Sequence, residues 1–168
     1  MLLISCPYCG PRDEHEFSYG HEAHIARPTL IGRPAIIAER VEKFGLRLKE
    51  ELDYDVVNVE LDPRYRDFWQ TYHRLTERKG VTEQFAKIEM RRRLTLIASM
   101  LLHKGEVDGM ICGTWGSTAT HLAHIDQIIG RRAGVNVYAC MNGLILPGRQ
   151  VFLVDTHVNY DPTAEQLA

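Results

Sequence analysis

The sequence predicts an α/β layered domain built on a mostly parallel sheet. Short apolar runs bounded by Gly and Pro alternate with helical patterns of ten or more residues, the order expected when helices cross over between parallel strands. A length of 168 residues suits one domain with a small appendage. With 45% hydrophobic and 25% charged residues the chain buries a core and falls outside the disordered class.

The opening Met1–Ile4 run is apolar and reads as a short strand. Cys6-Pro7-Tyr8-Cys9-Gly10-Pro11 then has a tight-turn composition, and a charged stretch with Phe17 and Tyr19 follows, the pattern of a Cys-x-x-Cys zinc-knuckle-like hairpin. Thr29–Gly32 is a buried strand. Pro34 suits the first turn of a helix whose inward face carries Ile36, Ile37, Val41 and Phe44, with Gly45 as its stop. Val56–Val59 is the next strand. Asp62 and Pro63 supply an N-cap and first position for a helix facing inward through Phe68, Tyr72 and Leu75. One long helix is expected from Thr82 to Lys104, its second half apolar nearly all round, closed by Gly105. A strand over Val107–Gly113 follows, then a helix capped by Ser117 or Thr118 and running toward Gly130. Val135–Leu146 and Val151–Val158 read as two strands joined through Pro147–Gln150, an antiparallel edge to the sheet. Asp161–Glu165 starts a last short helix.

Charge and cysteine usage narrow the function classes. A formal net charge of -2 gives no general drive toward nucleic acid or acidic membranes, so neither is expected as a partner. The basic cluster Arg91-Arg92-Arg93 lies in a helical pattern and reads as a solvated face or as a phosphate contact. Cys6 and Cys9 are too close to close a useful loop, and Cys112 and Cys140 lie in apolar runs. A reduced, cytoplasmic protein is therefore expected. No run reaches the roughly 18 apolar residues of a membrane span, and the opening run is too short for a signal segment.

Ligands of such sheets sit beyond the carboxyl ends of strands, which directs attention to the segments after Cys112 and Val158. Gly113-Thr114-Trp115-Gly116-Ser117-Thr118 follows a strand and opens a helix. Small residues let backbone N–H groups approach an anion there, and the helix end adds partial positive charge. An ordinary Gly-rich turn with a Ser or Thr cap gives the same pattern. Arg78 and Lys79 precede a helix start, and Arg131 and Arg132 follow a helix end. Each pair reads as a phosphate contact or as surface charge. Asp155 and Asn159 end a strand and either orient a substrate or brace the turn into Asp161-Pro162. His121 and His124 share a helix face near the Gly-rich loop, where core or surface roles compete with a functional one.

A Cys-x-x-Cys turn presents two thiolates to one tetrahedral zinc, half of a site. His21 and His24, with His15, are close enough in sequence to complete it. A partial site or a redox-labile dithiol is the competing reading.

Two resemblances sharpen these readings. Ala26-Arg-Pro-Thr-Leu-Ile-Gly-Arg-Pro34, Asp62-Pro-Arg-Tyr-Arg-Asp67, Arg78-Lys-Gly-Val81, Asp108-Gly-Met-Ile-Cys-Gly-Thr114 and Asp155–Ala168 resemble the phosphate acetyl/butyryltransferase family. Within it they look most like the phosphotransacetylase-like C-terminal domain of bacterial NADP-dependent malic enzymes. That resemblance implies a three-layer α/β/α fold, here incomplete, with acyl-CoA and phosphate in its cleft. It implies acetyl-CoA as a ligand and Arg78, Lys79, Gly113, Thr114, Ser117, Thr118, Arg131, Asp155 and Asn159 as ligand-binding candidates. It also implies a regulatory, oligomer-building role, with a homo-oligomer expected; an active phosphate acyltransferase is the alternative, and no catalytic residue is assigned.

The segment Met1–Pro28, through Met-Leu-Leu-Ile-Ser-Cys-Pro-Tyr-Cys-Gly-Pro-Arg-Asp-Glu, Glu16–Gly20 and Glu22–Pro28, resembles the N-terminus of the δ subunit of heterotetrameric sarcosine oxidase. This implies a zinc-binding subunit with Cys6 and Cys9 as the first ligand pair, His21 and His24 as candidates for the second, and oxidase subunits as partners through residues 1–28. The expected organisation is a segment 1–28 ahead of a domain 29–168; either the N-terminal strand replaces a missing first strand of the sheet, or the sheet keeps an open edge.

Overall fold

The computed structural model describes Leu2 and Leu3 and residues 26–113, 116–156 and 158–167. The chain divides into two units, Met1–Ile129 and Gly130–Ala168.

In the first unit β1 (Leu2–Leu3), β2 (Thr29–Gly32), β3 (Asp55–Asn58) and β4 (Met110–Ile111) form one parallel sheet in the order β3-β2-β1-β4. Leu2 pairs with Thr29 on one side and Met110 on the other, and Leu3 with Leu30 and Ile111. The opening apolar run thus takes an interior place in the sheet. β4 is far shorter than the Val107–Gly113 strand expected, since Val107–Gly109 and Cys112–Gly113 are not strand.

Successive strand residues point to opposite faces, so the adjacent apolar pairs Leu30-Ile31 and Val56-Val57 demand cover on both sides. Leu30 and Val56 pack with Ile37 and Val41 of α1 (Pro34–Lys43) and with Leu48 and Tyr54. Ile31 and Val57 pack beneath a cluster drawn from α2 (Tyr65–Thr76), α3 (Glu83–Arg92), α4 (Leu94–His103) and α5 (Thr118–Ile128). Helices lie on both faces of the sheet, in three layers.

Where sequence and structure differ, the causes are local. The single helix expected over Thr82–Lys104 is two helices, α3 and α4, broken at Arg93, whose backbone is extended (φ -112, ψ 97). A straight rod of that length would span about 35 Å. Its first half buries only Ala86 and Met90, whereas its second half is buried from Thr95 to Leu101. One axis cannot lie both on the surface and through the core, and the break lets each half take its own course. The helix expected from Asp62 begins at Tyr65. Asp62 still acts at that end, accepting from the Arg64 backbone N–H at 2.8 Å and from the guanidinium through Nε at 2.9 Å and Nη2 at 2.7 Å. Phe68 and Tyr72 are buried on the inward face of α2, but Leu75 is 39% exposed and does not belong to it.

The termini of α1 and α4 follow the left-handed glycine stop. At α4, Gly105 (φ 71) donates to the Leu102 carbonyl and Glu106 to the Leu101 carbonyl. Lys104 at this end pairs with Asp67 of α2 at 2.6 Å. Two buried hydroxyls are satisfied inside their own helices: Thr76 donates to the Tyr72 carbonyl at 2.7 Å and Ser99 to the Thr95 carbonyl at 2.8 Å.

The second unit holds β5 (Met141–Leu146) and β6 (Arg149–Val154), paired antiparallel in a separate two-stranded sheet and not as an edge of the parallel one. Val135–Cys140 is not strand, and the hairpin loop is only Pro147-Gly148, with Gly148 at φ 73. Pro at the first loop position and a left-handed Gly at the second is the signature of a type II turn. The last helix, α6 (Ala164–Leu167), starts with a reciprocal cap: Gln166 N–H donates to Thr163 Oγ1 at 3.3 Å, and the Gln166 side chain accepts from the Thr163 N–H at 2.8 Å.

Gly105→Ala adds a Cβ that meets nothing within 4 Å, yet it forces a left-handed alanine. Urea unfolding should show a loss of about 1–2 kcal/mol from backbone conformation alone. Burial raises the Asp62 pKa, but the hydrogen bonds and charge of Arg64 outweigh it and hold the group below its ordinary value. The resulting stabilisation is present above the ordinary Asp range and disappears as the pH falls through the lowered value. Asp62→Asn is therefore expected to lose about 2 kcal/mol at pH 7 and to show a flatter loss than the wild type in urea titrations taken down to pH 2.

Candidate functional site

β1, β2 and β3 follow one another toward one edge of the sheet, and β4 then returns to the far side of β1. The order therefore reverses between β1 and β4. Loops leaving the carboxyl ends diverge at such a reversal and open a crevice, the place where open α/β sheets bind ligands. The segment leaving β4 is Cys112 and the Gly-rich loop that runs into α5.

Within that loop Gly113 is exposed, Thr114 and Trp115 lie outside the described residues, and Gly116 takes φ 93. Ser117 is the N-cap: its backbone is extended and its Oγ accepts from the Thr120 N–H at 3.2 Å. Thr118, the other cap candidate, is the first helical residue. Thr120 and His121 donate their N–H groups to the Ser117 carbonyl, while the N–H groups of Thr118 and Ala119 have no acceptor inside the helix. These are the donors that, with the helix dipole, favour an anion. His121 lies one turn in. Its Nδ1 is 2.9 Å from Thr95 Oγ1, and its Nε2 is 3.6 Å from where a Cβ on Gly116 would sit. Thr95, 26 residues away on another helix, carries no sequence signal for this role. It is 5% exposed, so the pair orients the imidazole and offers no hydroxyl to an incoming ligand. Burial pushes the Cys112 thiol up from its ordinary value and keeps it protonated at neutral pH.

Arg78 and Lys79 close the 3-10 turn Glu77–Lys79 after α2, fully at the surface and ahead of Gly80 at φ 88. Among the described residues no hydrogen bond or ion pair holds either side chain or joins it to the β4–α5 loop. Arg91 packs over the Tyr65 ring at 4.3 Å and Arg93 pairs with Glu89 at 3.2 Å, so two of the three clustered arginines serve the packing of the first unit.

In the second unit Arg131 bonds the Asn136 carbonyl and lies over the Tyr138 ring at 5.6 Å. Asp155 has φ 57, rare for a side chain with a Cβ, and its N–H meets the Cys140 carbonyl at 2.6 Å. Asn159 Nδ2 donates both to Asp155 Oδ1 at 2.6 Å and to the Tyr138 carbonyl at 2.8 Å. Asp155 and Asn159 are thus tied to each other and to the Tyr138–Cys140 segment, and Arg131 to Asn136 and Tyr138.

His124, one turn beyond His121, has a buried Nδ1 with no hydrogen-bond partner among the described residues. Burial, then the Arg93 guanidinium, hold its pKa below the ordinary histidine value against the opposing pull of Glu89. Among the described residues no group of three or more His, Cys, Asp or Glu could hold a metal ion. The zinc candidates Cys6, Cys9, His21 and His24, and with them the Cys-x-x-Cys hairpin, lie outside those residues.

Residues 18–168 match the family model described as Phosphate acetyl/butaryl transferase. The chain is 48% identical over 144 residues to the NADP-dependent malic enzyme of Haemophilus influenzae, covering 86% of this chain and 19% of that protein. It is 33% identical over 139 residues to the phosphate acetyltransferase of Corynebacterium glutamicum, covering 83% of this chain and 41% of that one. EutD phosphotransacetylase from Staphylococcus aureus superposes with a TM-score of 0.78 at 17% identity over 98% of this chain and 48% of that chain, a likeness of fold. The chain spans about a fifth of the length of the malic enzymes it matches.

Proposed function

The chain belongs to the phosphate acetyl/butaryl transferase family, and we propose that it is an acyl-CoA- or phosphate-binding module of the malic-enzyme type, regulatory and oligomer-building rather than catalytic. The observation that carries this reading is the Gly-rich loop at the reversal of strand order, where the N–H groups of Thr118 and Ala119 have no acceptor inside their helix. Gly113, Thr114, Ser117 and Thr118 would cradle a phosphate or acyl phosphate, and acetyl-CoA is the ligand proposed. Arg78 and Lys79 supply exposed positive charge for the CoA phosphates. Arg131, Asp155 and Asn159 brace the second unit in this reading. Neither Thr95, which is buried, nor Cys112, which stays a protonated thiol, offers a nucleophile of the protein's own.

Self-association rests on the hairpin. Met141, Ile145, Phe152 and Val154 share one face and Leu144, Leu146 and Leu153 the other, all at least 37% exposed. A small hairpin apolar on both faces gains stability only by being covered.

Acetyl-CoA, CoA and inorganic phosphate should be compared by thermal unfolding. Saturating acetyl-CoA is expected to raise the midpoint, a ligand at 100 times its Kd adding about 2.7 kcal/mol. Ser117→Asp keeps a capping side chain and hence the unliganded midpoint, but places a negative charge where the anion would sit and should abolish the ligand shift. No shift with any of the three compounds, or a wild-type shift in S117D, defeats the reading. CoA-dependent release of phosphate from acetyl phosphate would instead establish the active acyltransferase. For the hairpin, light scattering should give a mass above one chain that Ile145→Lys combined with Phe152→Lys reduces; an unchanged mass removes the hairpin as the contact.

A further inference from the structure

α5 is seated on the core by few apolar groups. Only Ile128 among its residues is fully buried, whereas α4 beside it is buried along seven consecutive residues. Polar contacts join α5 to its neighbours instead. Gln127 accepts from the Tyr72 hydroxyl of α2 at 2.9 Å, and His121 bonds Thr95 of α4. Between these two contacts lies His124, its Nδ1 closed off from solvent and without a partner among the described residues.

The charged and titratable groups that face His124 come from three places. Glu89 comes from α3, Arg93 from the junction between α3 and α4, and His121 from its own helix. Gln127, also on α5, favours the charged form of the ring, and Tyr72 of α2 is reached through Gln127. α4 contributes Thr95, which is uncharged. Glu89 is the one acidic group among them, and it is already paired with Arg93 at 3.2 Å. A proton added to His124 therefore introduces a charge next to Arg93, on a nitrogen with no acceptor waiting for it.

We propose that His124 is a proton-operated latch on α5: neutral, it lets the helix seat against α2, α3 and α4; protonated, it lifts that helix from the core. The direction with pH follows from linkage. A histidine whose pKa is lowered in the closed state takes its proton first in the open state. The closed state then loses stability as the pH falls below about 6.5, and continues to lose it until the closed form also protonates. Above that range both states are neutral at this position and the latch has no effect.

Hydrogen exchange read by mass spectrometry over residues 118–128, corrected for intrinsic rates, tests this between pH 7.5 and 5.5. In the wild type the opening of α5 should rise toward low pH, by up to about tenfold for each unit that separates the two pKa values. The amides of α4 should change much less. His124→Gln should flatten the response, and His121→Gln should leave it in place. A wild-type rise retained in H124Q overturns the latch. So does a direct nitrogen-15 titration of the wild-type histidines that places His124 at or above 6.5. Should H124Q fail to fold, that titration decides alone.

Discussion

Seven consecutive residues of α4, Thr95 through Leu101, are buried, and this unbroken burial is the constraint to which the rest of the first unit answers. A helix apolar around its whole circumference must be enclosed on every side. The sheet supplies one wall through Ile31 and Val57, and α2, α3 and α5 supply the others through Phe68, Tyr72, Ala86, Met90 and Ile128. The two polar side chains within it answer the same requirement. Ser99 bonds back to its own helix, and Thr95 reaches His121. Enclosing α4 thus also fixes the ring that faces the Gly-rich loop, which ties the packing of the core to the geometry of the candidate site.

Much of the first unit was legible because its signals are local. Pro34 and Gly45 bracket α1, Gly105 stops α4, and the paired apolar residues of β2 and β3 announce a sheet covered twice. The break at Arg93 was not legible. Arg92, Arg93 and Leu94 all suit a helix interior, and the signal lay instead in the change from a one-sided to an all-round apolar pattern. The hairpin strands were read too long for a related reason. Val135 and Val137 have strand composition, but β6 offers only six positions to pair, and β5 takes all of them.

The candidate site was half visible. A Gly-rich segment between a strand and a Ser cap can be read directly, and Ser117 is indeed the cap. Its position at the reversal of strand order depends on where β1 inserts, a question of pairing over more than a hundred residues that no local pattern encodes. Asp155, Asn159 and Arg131 carried enough chemical character to be noticed, but their partners are backbone carbonyls, and backbone partners leave no trace in side-chain identity.

Arg93 serves two helices at once. Its N–H closes the last turn of α3 on the Glu89 carbonyl, and its own carbonyl receives the N–H groups of Leu96 and Ile97 at the start of α4. One residue's peptide groups thus close one helix and open the next. The exposed helix and the enclosed one are thereby spliced into a single cooperative block. A surface segment that would ordinarily breathe on its own inherits part of the rigidity of the most protected stretch of the chain.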